Sequence, residues 1–270
     1  MTTTVSPPRT PTVPAEKQRF DSRKRAQVAL SVAGLGTLLA AWWLAGDATR
    51  FLPGIGEVLS TLPQFLATPL VWQEALLTFG RVAGSLAIGF VLGGIAALLM
   101  VHTRFWGRVV SAYVAIATAV PSTILALIAL FIFRKSDTGV VFVVVVTVFP
   151  FIAVLLSEGL RATSRSLAEM SVVYRITGIE SLRHVLVPQV APYALTALRN
   201  EYAHGWKVVV LAELFIINSG MGWQFSQAFD RFQLVPVMHW LLLFVAILLA
   251  TEYLVIRPLE TRALRWKDKS

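Results

Sequence analysis

The chain has 270 residues, of which 56% are hydrophobic and only 14% charged, where a soluble domain carries about 25% charged residues. The formal net charge is +9 and there is no cysteine, so disulfides and thiolate metal sites are excluded. Long charge-free runs read as spanning helices, and the unbroken apolarity of the runs excludes an outer-membrane barrel, whose strands alternate.

In chain order, residues 1–25 are rich in Thr, Pro and basic residues and read as a disordered tail, with no small-residue cleavage site to mark a signal peptide. The charge-free runs Ala26–Gly46, Val82–Thr103, Val109–Phe133, Thr138–Ser157 and Phe232–Thr251 each cover the ~20 residues a span needs. A further apolar stretch, about Thr196 to Asn218, holds Glu201, Lys207 and Glu213. Six spanning helices are expected, within a membrane domain over residues 26–256 and followed by a tail over 257–270.

With the N-terminus inside, most of the 24 Lys and Arg fall on the cytoplasmic side: those before the first helix, Arg104, Arg108, Arg161, Arg165, Arg175, Arg183 and those after Tyr253. This is the positive-inside asymmetry. It places both termini in the cytoplasm and assigns the positive charge to a membrane surface rather than to nucleic acid.

Between the first two spans, Ile55, Val58, Leu59, Leu62 and Phe65 recur at helical spacing and predict a short amphipathic helix on the outer surface, its start marked by Pro53 and Gly54. Gly84, Gly89, Gly93 and Gly94 in the second span predict close helix approach. Pro121 is expected to kink the third span, with the hydroxyls of Ser122 and Thr123 satisfying freed backbone groups, and Pro150 to kink the fourth.

In the fifth span, Lys207 and Glu213 each stand where a charge costs about 2.5–3.5 kcal/mol on lenient scales. They lie roughly 120° apart around a helix, so their partners are expected elsewhere. Trp206 and Glu213 share a face. Two readings stay open: a polar translocation face of Pro121, Ser122, Trp206, Lys207 and Glu213, or a structural interhelical pair or a terminal position at the interface. Gly220–Gly222 then breaks the chain.

The segment 158–192 is a charged island between apolar runs, with Leu160, Leu167, Met170, Val173 and Tyr174 forming one helical face and Pro188 and Pro192 at its end. It reads as a docking surface outside the bilayer or as an amphipathic hairpin on headgroups. No phosphate loop, HExxH pair or GxSxG elbow is present, and His102, His184, His204 and His239 are scattered.

The island resembles the cytoplasmic motif of the permease subunits of bacterial binding-protein-dependent ABC importers: EAA, three residues, Gly, nine residues, Ile-x-Leu-Pro. Here it reads Glu169-Met170-Ser171, Arg175, then Val185-Leu186-Val187-Pro188, with Met-Ser for Ala-Ala, Arg175 for the glycine and a glycine at Gly178. From about Trp43 to Trp266 the chain is similar to the nitrate/sulfonate/taurine branch. The resemblance is carried by LPGIGEV, Thr78–Gly93, Ala119–Leu127, Phe149–Leu160, His204–Phe215, GMG and Arg265-Trp266, with a departure at Arg134–Gly139, where that branch usually has a Phe-Gly turn.

The resemblance implies an all-α, type I importer permease fold with cytoplasmic coupling helices, in a bacterial inner membrane. It implies a non-catalytic chain that forms the path for a small nutrient such as a sulfonate, taurine or nitrate. The implied partners are a cytoplasmic ABC ATPase dimer that carries the ATP and Mg, an extracytoplasmic substrate-binding protein and a second permease, the same chain or a different one. No cofactor is implied in this chain. Leu167, Glu169, Met170, Ser171, Val173, Arg175, Gly178 and Pro188 would then be the ATPase-coupling residues, with Pro188 ending the segment. Lys207, Arg81 or Arg199 could attract an anion, or Lys207 could face a carboxylate. The alternatives are an ATP-independent secondary transporter or channel, which predicts inverted repeats, and an intramembrane enzyme, which needs polar residues converging from several helices.

Overall fold

The computed structural model describes residues 52–164 and 178–263, together with residue 173 and residues 30, 33, 34, 36, 37 and 40–44. The expectations for the tail over 1–25 and for Leu167, Glu169, Met170, Ser171 and Arg175 lie outside the described residues. All regular structure among the described residues is helical. The chain divides into two compact units, Met1–Ser60 and Thr61–Ser270. In the first, the described part of the first apolar run is helical, and the Trp42 indole donates to the Pro53 carbonyl at 3.2 Å.

The helices that follow are α1 (Ile55–Leu66), α2 (Pro69–His102), α3 (Phe105–Ala119), α4 (Ser122–Phe133), α5 (Asp137–Arg161), α6 (Ile179–Ile216), α7 (Met221–Asp230) and α8 (Leu234–Ala263). Three of them, α2, α5 and α8, are long and apolar enough to cross a membrane unbroken, and the bent pairs α3–α4 and α6–α7 each pass as one broken span. Three of the six expected spans are thus unbroken helices, two bent pairs stand where two more are expected, and the sixth, the N-terminal run, is described only in part.

The spans outrun the charge-free runs that predicted them. Helix α2 begins at Pro69 rather than Val82, because Glu74 and Arg81 are buried within the protein and need not stay out of the helix. Helix α8 continues past Thr251 through a π-helical turn, Glu252–Ile256, to Ala263. Its Glu252 pairs with Arg199 of α6 at 3.0 Å.

Helix α5 is central. Its run of valines is poorly suited to a helix by propensity, yet the bilayer offers no other way to satisfy its backbone, and the branched side chains fill the core. Val140, Val143, Val144, Val148 and Ile152 are fully buried between α2 and α6, against Val82 and Leu86 on one side and Trp206, Val209 and Ile216 on the other. Two of the four glycines singled out on α2 make this approach possible. A Cβ on Gly89 would meet Val148 at 2.8 Å and one on Gly93 would meet Ile152 at 2.7 Å, whereas Gly84 and Gly94 face open space.

The two prolines act differently. Val120 is extended ahead of Pro121, as a residue before proline prefers, and the chain turns 98° there between α3 and α4. This is a break rather than the expected kink. The Ala117 carbonyl accepts from the Val120 N–H at 3.4 Å and α4 opens with Ile124 and Leu125 donating to the Pro121 carbonyl at 3.0 and 3.2 Å, so backbone groups serve the break rather than the hydroxyls of Ser122 and Thr123. Helix α5 runs unbroken through the buried Pro150. After α4, Arg134 sits at φ 54° and ψ −152°, a backbone state that glycine alone takes cheaply. This is the position of the departure from the Phe-Gly turn.

Candidate functional site

Glu74, Thr78 and Arg81 recur at helical spacing on one face of α2, and all three are buried. They converge on Glu213, near the end of α6 and fully buried, and on the turn that joins α6 to α7. Arg81 Nη1 lies 2.5 Å from Glu213 Oε1, and Nη2 lies 2.7 Å from Asp137 Oδ1 at the start of α5. The same guanidinium donates to the Ser219 carbonyl at 3.1 Å and to the Ser219 hydroxyl at 2.7 Å. Thr78 Oγ1 donates to the Glu213 carboxylate at 2.9 Å and accepts from the Met221 N–H at 2.8 Å. Glu74 accepts from the Gly220 N–H and from Gln224 Nε2, the latter at 2.9 Å.

The two glycines of the GMG break are fitted to this carboxylate. Gly222 donates its N–H to Glu213 Oε2 at 2.9 Å. Gly220 takes φ 96°, closed to most side chains, and a Cβ there would strike the Glu213 carboxylate. One on Gly222 would strike Glu213 Cβ at 2.8 Å and the Val210 carbonyl. A buried charge is tolerated only when it is paired and its remaining lone pairs are satisfied. Glu213 meets that condition through Arg81, Thr78 and Gly222.

The cluster therefore fastens α2, α5, α6 and α7 at the ends where α5 begins and α6 finishes. Sequence reasoning identified Glu213 and the glycine break but not Glu74, Thr78 or Asp137. The helical spacing of Glu74, Thr78 and Arg81 in a span that otherwise avoids charge marks a polar face on α2, but not the residues it meets.

The remaining candidate residues are dispersed. Trp206 is fully buried, with rings of Phe79, Tyr202 and Phe244 about 6 Å away. Lys207, its neighbour, is exposed and opens on a cavity of about 250 Å³ walled by Val210, Leu214, Met221, Trp240 and Phe244 among others. Arg199 is held by Glu252 and Glu260 of α8. Pro121 and Ser122 lie at the α3–α4 break. Among the described residues no group of three or more His, Asp or Glu is placed to hold a metal ion.

Of the charged island, the two stems are described. Gly159 near the end of α5 packs under Tyr193 of α6, where a Cβ would meet the ring at 2.8 Å. The Ser164 N–H donates to Gln189 Oε1 at 2.8 Å. Val173 is helical and exposed. Gly178 stands at φ 61°, and α6 begins directly after it at Ile179. Pro188 does not separate the island from the fifth span. The helix runs on through it, after a π-helical turn at Leu182–Leu186 in which the Val187 N–H bonds the Leu182 carbonyl.

The helical spans, their broken pairs and the charged segment between α5 and α6 define a multi-pass membrane protein. The family model described as "Binding-protein-dependent transport system inner membrane component" matches residues 89–259. The chain belongs to that family. It is 27% identical over 238 residues to a protein described as an aliphatic sulfonates transport permease, SsuC, of Escherichia coli (strain K12), covering 85% of this chain and 88% of that one. It is 22% identical over 193 residues to the nitrate import permease protein NrtB of Synechococcus elongatus, covering 66% and 68%. Among solved structures it is similar to a chain of the inward-facing MetNI methionine ABC transporter (TM-score 0.61, 22% identity, covering 73% of this chain and 95% of that one). It is also similar to a chain of a bacterial ABC transporter that imports the acidic polysaccharide alginate (TM-score 0.61, 12% identity, covering 90% and 98%). At these identities the likeness to the two structures establishes the fold alone.

Proposed function

We propose that this chain is the permease subunit of an ATP-driven importer for a small anionic nutrient, coupled through residues 158–192 to a cytoplasmic ATPase. The observation that carries this reading is the family match over residues 89–259, which includes the whole charged segment. The segment leaves α5 and returns into α6 on stems tied by Gly159 with Tyr193 and by Ser164 with Gln189, so a push on the loop reaches two core helices together. Leu167, Met170 and Val173 supply the apolar contacts to the ATPase, Glu169 and Ser171 the polar ones, and Arg175 and Gly178 the turn into α6, with Pro188 inside that helix. Two ATPase subunits close on ATP and Mg, the coupling segments move with them, and two permeases exchange inward- for outward-facing states. The second permease is this chain or a different one, and a substrate-binding protein delivers the cargo from outside. Both termini lie in the cytoplasm.

Within the bilayer, Lys207 and the Pro121–Ser122 break border the path, while Trp206 and Glu213 hold the helices that form it. The sulfonate and nitrate permeases among the relatives support an anionic cargo.

The test is purification of the chain from its native membrane with whatever co-purifies, followed by an ATPase assay on wild type, Glu169→Ala and Met170→Arg. Co-purification of an ATPase that both changes weaken by about tenfold is expected, and the second permease appears in the same preparation. A chain that purifies alone and transports in liposomes without ATP overturns the reading.

A further inference from the structure

Of the three cations set out as partners for an anion, two are already engaged within the chain. Arg81 is held by Glu213 and Asp137, and Arg199 by Glu252 and Glu260. Lys207 is the third. It is exposed, and no carboxylate of the described residues lies within ion-pairing distance of it. By the rise of a helix it stands roughly 14 Å from the end of α6 at Ile216. Its four-carbon stem is much shorter than that and cannot carry the ammonium to the headgroups. An unpaired ammonium at such a depth is tolerated facing water or an anion, and not facing lipid.

The cavity on which it opens has no second charge. Beyond Lys207 the walls are Met221, Phe225, Trp240, Leu241 and Phe244, with two aliphatic residues of α6. At about 250 Å³ it lies below the usual range for drug-sized ligands. A bare oxyanion such as nitrate would satisfy the ammonium and leave the apolar walls uncovered. An anion that carries a short apolar body satisfies both.

We infer that Lys207 and the apolar walls set by α7 and α8 form a binding subsite for a small organic oxyanion with a short aliphatic or aromatic body, of the alkylsulfonate or alkylphosphate type. This deepens the permease reading and rests on it for the subsite's part in transport, whereas binding itself does not require the ATPase. The same chemistry is offered by an anionic lipid, with phosphate on Lys207 and an acyl chain in the cavity. The depth of Lys207 and the size of the cavity favour a soluble anion.

The test uses the full chain with the subunits that co-purify, in phosphatidylcholine nanodiscs, titrated calorimetrically with 1-pentanesulfonate. Saturable binding is expected. Lys207→Met weakens it by about tenfold or more, Lys207→Arg keeps it within about threefold, and nitrate displaces it only at about a hundredfold higher concentration. Phe244→Ala weakens pentanesulfonate binding by about tenfold and leaves nitrate unaffected. Melting curves of each variant report folding, and Leu241→Trp, which fills the cavity while keeping Lys207, abolishes binding by a separate route. Binding that is absent, indifferent to Lys207→Met, or equal for nitrate and pentanesulfonate overturns the subsite. So does Lys207-dependent displacement of pentanesulfonate by phosphatidylglycerol, which makes a lipid the occupant. Intact binding with no ATPase association sinks the permease reading alone, and lost binding with an associated ATPase sinks the subsite alone.

Discussion

Arg81 contacts three elements at once: Glu213 on α6, Asp137 at the start of α5 and Ser219 in the turn to α7. Its loss would strand a fully buried carboxylate, and that penalty exceeds the loss of the pair itself. Arg81→Met is therefore expected to destabilise the protein by about 3–5 kcal/mol, and Arg81→Met combined with Glu213→Gln by less than the sum of the two single changes. Thermal unfolding in detergent checks both, and strict additivity would mean that the two residues are not coupled. Lys207 stands in contrast, a charge of the same sign with no carboxylate among the described residues to answer it.

At the level of elements, helix approach is set by where small residues meet large ones. Gly93 lies under Ile152 and Gly84 lies in open space, although both are glycines of one helix. Gly93→Leu is expected to cost about 1–3 kcal/mol through overpacking against α5. Gly84→Ala is expected to be neutral or stabilising by a few tenths of a kcal/mol, because it removes only backbone freedom. Melting temperatures of the two variants in one detergent separate the cases, and equal effects would contradict the packing. The same reasoning covers the two prolines. The residue before Pro121 is extended and the helix ends there, whereas Pro150 sits in a helix gripped on both sides by α2 and α6.

For the molecule as a whole, the positive-inside asymmetry sets an expected orientation with both termini in the cytoplasm, and the absence of native cysteine makes it directly measurable. Asp230→Cys, at the end of α7, is expected to react with a membrane-impermeant maleimide on intact cells. Arg104→Cys, between α2 and α3, is expected to react only after permeabilisation, and the reverse pattern would invert the topology. The helical, multi-pass character and the family were legible in the sequence, because apolar runs and short motifs are local signals. The polar cluster was not. Glu213 stood out as a charge in an apolar helix, but its partners Thr78 and Arg81 lie over a hundred positions away, and no periodicity in one segment reports a contact in another. Helix boundaries failed for a related reason: counting charges treats Glu74 and Arg81 as residues that must face water, while the fold supplies each with a partner.

The break at Val120–Pro121 has a mechanical consequence. It divides the apolar run into two stiff rods, α3 and α4, at close to a right angle, and neither is long enough to traverse the hydrocarbon alone. A rod of the length of α4, about 18 Å, that pivots by about 10° sweeps its tip through about 3 Å. A pivot at such a joint would work as a lever, turning a small angular stroke into a displacement comparable to the width of a water molecule.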